Sequence, residues 1–198
     1  MSFTADNIRD ILANHTALTD HPTHDATPAS VLAPFYLHPD GLHVIFTKRT
    51  DHLDHHSGQI SFPGGRQDPT DPDPLFTALR ETNEEIGVKP DDIDVWGRLN
   101  QEVTVTRFSV APFVGAIPYP YDFTLNADEV ERLIIVPLDH LLDPNYFSEE
   151  MYPWGERDYK TYKYTFNGDV IWGATARMVH NLLTLLTTGR EPEDRFEY

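Results

Sequence analysis

Glu81, Glu84 and Glu85 follow Arg80 directly in the stretch RETNEEIG (Arg80–Gly87). At about 100° per residue, the three carboxylates fall within roughly a 100° arc of one helical face. Glu pairs at i,i+4 repel by roughly 0.2–0.5 kcal/mol, so a surface helix gains nothing by stacking them. A hard divalent cation reverses the sign of the effect, because such ions take carboxylate oxygens as ligands. The competing explanation is a solvated acidic helix face, in a chain whose formal net charge is −17. Just upstream stands FPGG (Phe62–Gly65), and a Gly-Gly pair lets backbone approach a ligand closely.

The acidic cluster needs a helix to present it. Asp73 is a suitable N-cap, Pro74 suits the first helical position, and Gly87 suits the position just past the end. Leu75, Leu79 and Ile86 recur at helical spacing. The segment Pro74–Ile86 is therefore expected to be an amphipathic helix, with Leu75, Ala78, Leu79 and Ile86 against the core and the Glu face outward. The preceding run GGRQDPTDPD carries turn and loop chemistry.

Around that helix, strands and helices interleave. A short helix is expected over residues 5–14, with Thr4 as cap. Strands are expected over Ser30–Leu37 and Leu42–Lys48, joined by HPDG, and over Gln59–Phe62 running into the Gly-Gly turn. More follow over Ile93–Arg98, Glu102–Thr106, Phe108–Ile117, Arg132–Val136 and Tyr159–Phe166. Asn167-Gly168 marks a hairpin. Helices are expected to start at Pro137 and to span Ala174–Thr187, with Met178, Leu182 and Leu185 on one face. The pattern argues an α+β fold, an α/β/α sandwich of a mixed sheet flanked by helices. Residues 1–28 are expected to form a helix and loop belonging to the same domain as residues 29–198.

Composition narrows the function classes. The chain has 198 residues, enough for one domain with a proper core. It contains no cysteine, so no disulfide or thiolate site exists, which suits a reducing cytoplasm, the expected location. No apolar run reaches transmembrane length, so no membrane association is expected. The strong negative charge argues against nucleic acid as a partner. It does not argue against a phosphorylated substrate, since a bound metal is often the largest local charge in a site.

The stretch Gly65–Val88 resembles the box of the Nudix family, G-x5-E-x7-R-E-U-x-E-E-x-G-U, where U is bulky and apolar. Arg80, Glu81, Glu84, Glu85, Gly87 and Val88 match position by position. One extra residue precedes the helix, so the first Glu of the pattern falls at Asp71 or Pro72, and Thr82 occupies an apolar slot. The segment IFTKRTDHLDHHSGQISFPGG is similar to the signature of the coenzyme A pyrophosphatase branch, with Thr47, Arg49, Gly58 and Phe62–Gly65 in register. Thr50 replaces Ser or Ala there, and Asp54 stands where the branch has a second Arg. The segment Ile171–Met178 also looks like the helix start of that branch.

The resemblance implies metal-dependent hydrolysis of the pyrophosphate in a nucleoside diphosphate derivative, with Mg²⁺ or Mn²⁺ as cofactor. Coenzyme A or an acyl-CoA is the expected substrate, giving 3′,5′-ADP and 4′-phosphopantetheine. ADP-ribose, an ADP-sugar or a dinucleoside polyphosphate stays open as an alternative, as does a non-catalytic nucleotide-sensing domain. Glu81 and Glu85 are the first choice of metal ligands. Glu84 is either a third ligand or the residue that orients water. Arg80 is expected to hold a carboxylate in place, and Arg49, Gly64 and Gly65 to meet the substrate. A general base is sought in NADEVE (Asn126–Glu131), from Glu129 or Glu131 ahead of Asp128, against the alternative of a solvated loop. His52, His55 and His56 lack the ligand pattern of common zinc sites and are placed, if used, beside substrate phosphate. Trp154, Trp172 and the tyrosines from Tyr152 to Tyr164 are more readily core than adenine platforms. The partner is a small-molecule nucleotide, and a homodimer is left open.

Overall fold

The computed structural model describes residues 3–19, 25–50, 58–154 and 157–192, with side chains described except at 152–159. Strand β1 (Thr27–His38) turns back as β2 (Gly41–Arg49), with His38 opposite Gly41 in the register. The apolar runs in both strands alternate between two faces. Ala33, Phe35, Val44 and Phe46 join one buried cluster, while Leu32, Tyr36 and Ile45 join another on the opposite side. A sheet buried on both faces needs an outer layer on each.

Around this hairpin stand β3 (Ile60–Ser61), β4 (Gly64–Arg66), β5 (Asp94–Arg98), β6 (Glu102–Val103), β7 (Phe108–Ile117) and β8 (Val130–Pro137). The main path of the sheet runs β3-β2-β1-β7-β5, with β4 paired to β1, β6 to β7 and β8 to β2. The pairing of β1 with β7 is parallel, from Thr27 opposite Phe108 to Tyr36 opposite Ile117, and the others are antiparallel, so the sheet is mixed.

Helix α1 (Ala5–Ala13) and helix α4 (Gly173–Thr188) cover one face. Ile8 and Leu12 from α1 share a cluster with Trp96 and with Met178, Leu182 and Leu185 of α4. Helix α2 (Pro74–Ile86) covers the other face. The short α3 (Leu138–Leu142) follows β8 directly. Beside α4 lies a second antiparallel sheet of β9 (Phe147–Trp154), β10 (Arg157–Phe166) and β11 (Asp169–Trp172). The protein is thus α+β, a mixed sheet between helical layers. Among the described residues no helix is long and apolar enough to cross a membrane.

The structure departs from the sequence expectations at three places. The strand expected over Glu102–Thr106 stops at Val103, because Thr104 closes a tight turn. Its carbonyl accepts from Arg107 N at 2.9 Å, its hydroxyl accepts from Phe108 N at 3.0 Å, and Arg107 takes a φ of 62°. Strand β9 has no apolar alternation over FSEEM, and its partner β10 decides it, with Lys163 bridging to Glu150. The Gly-Gly pair is not a free turn, since Gly64 and Gly65 pair with Val31 and Ser30 on β1.

Where α1, β6 and the end of α4 meet, buried charges accumulate. Glu191 accepts from Asn100 N at 2.8 Å and lies 2.7 Å from His15 Nε2, while Arg177 Nε is 3.1 Å from Glu102. Burial pushes both Glu102 and Glu191 up to about 7. Between about pH 4.5 and 7 the folded chain holds protons that the unfolded chain has released, so stability falls as pH rises through that window. Burial lowers the pKa of His15, which acts in the opposite sense below about pH 6.5. Two carboxyls outweigh one imidazole. Chelated protein, in which the buried Glu85 carboxyl titrates in the same sense, is therefore expected to lose on the order of 2 kcal/mol between pH 5 and pH 8, and Glu191→Gln should make that slope shallower. Urea unfolding at the two pH values measures both, and an unchanged slope in the variant refutes the assignment.

Candidate active site at the acidic helix

Helix α2 forms where its end signals place it. The Asp73 carboxylate accepts from Phe76 N at 2.8 Å, Pro74 occupies the first turn, and Gly87 closes the helix with a φ of 74°. Ala78 and Ile86 are buried against the sheet. Thr82, also fully buried, donates its hydroxyl to Ala78 O at 2.6 Å. That bond satisfies the polar group and lets a threonine occupy an apolar slot.

The acidic face does not simply look outward. Glu85 is 2% exposed, and Gly64 N donates to its Oε2 at 3.3 Å. Arg49 Nη1, from the end of β2, stands 3.6 Å from its Oε1. Burial raises the Glu85 pKa to about 8 against the pull of Arg49 and Gly64, and the nearby Glu81 and Glu129 charges raise it further. Glu81 is half-buried, and burial raises its pKa while Arg80 opposes the shift. Glu84 is exposed and pairs with Arg80 Nη1 at 2.9 Å. The reason for this burial is β4, which lays backbone directly over the carboxylates. A Cβ on Gly65 would stand 2.5 Å from the Glu81 carboxyl carbon. A Cβ on Gly64, whose φ is 149°, would stand 2.3 Å from Ser30 O.

Arg80 is held from behind. Its Nε and Nη2 donate to the two oxygens of Asp71 at 3.0 and 2.9 Å, and it also reaches Arg66 O and the Glu81 carboxylate at 3.3 and 2.8 Å. Asp71 further accepts from Thr77 Oγ1 and Asp68 N at 2.8 and 2.9 Å. The Arg80 guanidinium beside it, with these donors, keeps its carboxyl well below the usual range. Asp71 rather than Pro72 thus answers to the shifted first acid of the motif.

Glu129 reaches the same place from the loop before β8. Asn126 N donates to Glu85 O at 2.9 Å, Asn126 Nδ2 to Glu129 Oε1 at 3.4 Å, and Thr50 N to Glu129 O at 3.0 Å. The Glu129 charge acts on both Glu81 and Glu85. The structure thus brings Glu81, Glu85, Glu129, Arg49, Gly64 and Gly65 together, with Arg80 and Glu84 at the edge. Glu131 is taken by Lys48 at 2.9 Å and Asp128 is exposed, with its carbonyl accepting from Thr50 Oγ1. Asp54, His52, His55 and His56 lie outside the described residues, as do the side chains of Tyr152 and Trp154. Trp172 is exposed, and Tyr162 and Tyr164 are core residues. Asn126, which ties the loop to the helix, carries no sequence signal beyond its place at the head of the acidic run, and Thr50, which ties the loop to the end of β2, is marked in the sequence only as the residue in the Ser/Ala slot of the signature.

The donor set is all oxygen, crowded with negative charge and partly dehydrated. It fits a hard divalent cation, whose charge would offset the mutual repulsion and burial of these carboxylates.

The NUDIX domain profile matches residues 27–157. An uncharacterised Nudix hydrolase, NudL of Pectobacterium atrosepticum, is 34% identical over 81% of this chain and 83% of its own length. The peroxisomal coenzyme A diphosphatase NUDT7 of Mus musculus is 37% identical over 66% of this chain, and the chain spans only 55% of that protein's length. Among solved structures, a NUDIX hydrolase from Alicyclobacillus acidocaldarius superposes with a TM-score of 0.54 at 17% identity, covering 86% of this chain and 99% of the other. RenU, a Nudix hydrolase from M. smegmatis, superposes with a TM-score of 0.51 at 19% identity, covering 60% and 74%. At such identities the likeness to the solved structures is one of fold.

Proposed function

The chain belongs to the NUDIX domain family of pyrophosphohydrolases, and from that premise we propose that it hydrolyses the pyrophosphate of coenzyme A or an acyl-CoA. Water adds to one phosphorus, the bridging P–O bond breaks, and 3′,5′-ADP and 4′-phosphopantetheine, or its S-acyl form from an acyl-CoA, leave. The observation that carries the reading is the convergence of Glu85, Glu81 and Glu129 beneath the Gly64-Gly65 backbone. Bound Mg²⁺ or Mn²⁺ supplies neutralisation of the pyrophosphate charge and activation of the attacking water.

The chain's own residues do the rest. Glu81 and Glu85 would hold the cation, and Glu84 would either join them or orient water. Arg80, fixed by Asp71, keeps Glu81 and Glu84 in position. Glu129 accepts the proton of the attacking water on a carboxylate oxygen. Arg49, whose guanidinium lies 3.6 Å from Glu85, would present its donors to a phosphate oxygen, the acceptor geometry it suits. Gly64 and Gly65 let the substrate approach where side chains would block it.

The coenzyme A assignment is supported by the matched positions Thr47, Arg49, Gly58 and Phe62–Gly65 and by the name of the mouse relative. Asp54, acidic where the signature is basic, favours the second reading, a Nudix pyrophosphatase for ADP-ribose, an ADP-sugar or a dinucleoside polyphosphate. A panel of these compounds, assayed for release of monophosphate products with Mg²⁺ or Mn²⁺, separates the two. Coenzyme A is expected to give the highest kcat/KM, and Asp54→Arg to lower its KM. Ready cleavage of ADP-ribose or a dinucleotide with coenzyme A untouched would leave the Nudix chemistry standing and remove the substrate.

A further inference from the structure

A different set of ligands stands at the other end of the sheet. In the turn HPDG, Asp40 Oδ1 is hydrogen-bonded to His38 Nδ1 and lies 3.8 Å from His43 Nδ1. One ligand atom from each residue lies within 4.8 Å of the other two. The register explains the convergence. His43 stands opposite Tyr36, two residues from His38, so the two histidines are diagonal neighbours on one face of the hairpin. Their rings also pack against each other, and that of His38 against Tyr119. His38 meets His43 edge-on at 5.1 Å and Tyr119 edge-on at 4.5 Å. His43 is largely covered, with its side chain 13% exposed, while Asp40 is open to solvent.

From this convergence we infer that His38, Asp40 and His43 form a second metal site, for a divalent transition metal of the Zn²⁺ class. Two imidazoles and a carboxylate suit Zn²⁺ and its neighbours in the first row, whereas Mg²⁺ prefers an all-oxygen set. Three protein ligands leave a position for water. A tetrahedral arrangement needs the ligand atoms about 3.3 Å apart, which small rotations of an exposed aspartate and one ring supply. The ordinary alternative is a His–Asp ion pair. In that pair His38 alone engages Asp40, and His43 Nδ1 donates to Gly41 O at 3.1 Å, a bond it would exchange for the ion.

The site cannot share the ion of the acidic helix. Gly65 pairs with Ser30, and eight residues of strand separate Ser30 from His38, about 25 Å. A metal here clips the β1–β2 turn shut and closes the end of the sheet remote from catalysis.

Co²⁺ tests the inference, since four-coordinate Co²⁺ absorbs visibly and replaces Zn²⁺. The metal-free chain carrying Glu81→Gln and Glu85→Gln is titrated with Co²⁺ in excess Mg²⁺, and Zn²⁺ is then added in competition. One equivalent of four-coordinate Co²⁺, displaced by Zn²⁺, is expected. It should be lost on His38→Ala or Asp40→Asn, both at exposed or half-exposed positions, and on His43→Ala, and kept when His52, His55 and His56 are all changed to Ala. Zn²⁺ should raise the Tm of the titrated chain and not that of the His38 or Asp40 variants. Binding that survives His38→Ala with Asp40→Asn, or that disappears with the triple histidine change, overturns the site, as does an absence of any four-coordinate signal.

Discussion

Glu85→Gln is expected to lower kcat/KM for any pyrophosphate substrate by a factor of about 10³ or more, while the protein stays folded. A metal-held phosphoryl group gains several kcal/mol of charge stabilisation in the transition state, and about 1.4 kcal/mol is tenfold in rate. The fold should tolerate the change for a reason visible in the burial. Without a cation, Glu85 is dehydrated and its pKa is raised to about 8, so at neutral pH it is held mostly as the neutral acid that Gln imitates in shape. The amide oxygen of Gln can still accept from Gly64 N. Chelation of the wild type should have the same kinetic effect, reversed by Mg²⁺ or Mn²⁺. Circular dichroism and a metal titration of turnover check the two halves separately. Undiminished turnover by a folded Glu85→Gln chain in chelator would remove Glu85 from the site.

The two glycines of β4 should answer differently to the same methyl group. At Gly64 the added Cβ meets Ser30 O at 2.3 Å and Val31 Cα at 2.6 Å. Both are backbone atoms of the central strand and neither can step aside. The φ of 149° is also one that alanine rarely adopts. Gly64→Ala is expected to cost about 3 kcal/mol or more, a fall in Tm of about 10 °C for a domain of this size. At Gly65 the obstacle is the Glu81 carboxylate, the far end of a flexible side chain. Gly65→Ala should therefore fold normally and displace Glu81. A ligand misplaced by about 1 Å costs about 10² in rate. Thermal unfolding and kcat measured on both variants decide this. Equal loss of stability at the two positions would contradict the geometry.

The sequence by itself determined the local parts of this protein. Asp73, Pro74 and Gly87 bound α2 because caps act within one turn of backbone. The apolar-rich runs of β1, β2 and β7 marked strands, and the spacing of Arg80, Glu81, Glu84 and Glu85 placed the carboxylates on one helical face. Hydrogen bonds and side-chain periods within a few residues leave such traces. Only the tertiary structure decided what the acidic face confronts. The outward face expected for Glu85 is roofed by β4, whose place is set by pairing with β1 thirty-odd residues earlier. Asp71 became the partner of Arg80 from the loop that enters the helix, and Glu129 joined the site through Thr50 and Asn126. β9 exists because β10 pairs with it. These are non-local contacts, and each is fixed by burial and backbone pairing between segments whose separation in the chain carries no period to read.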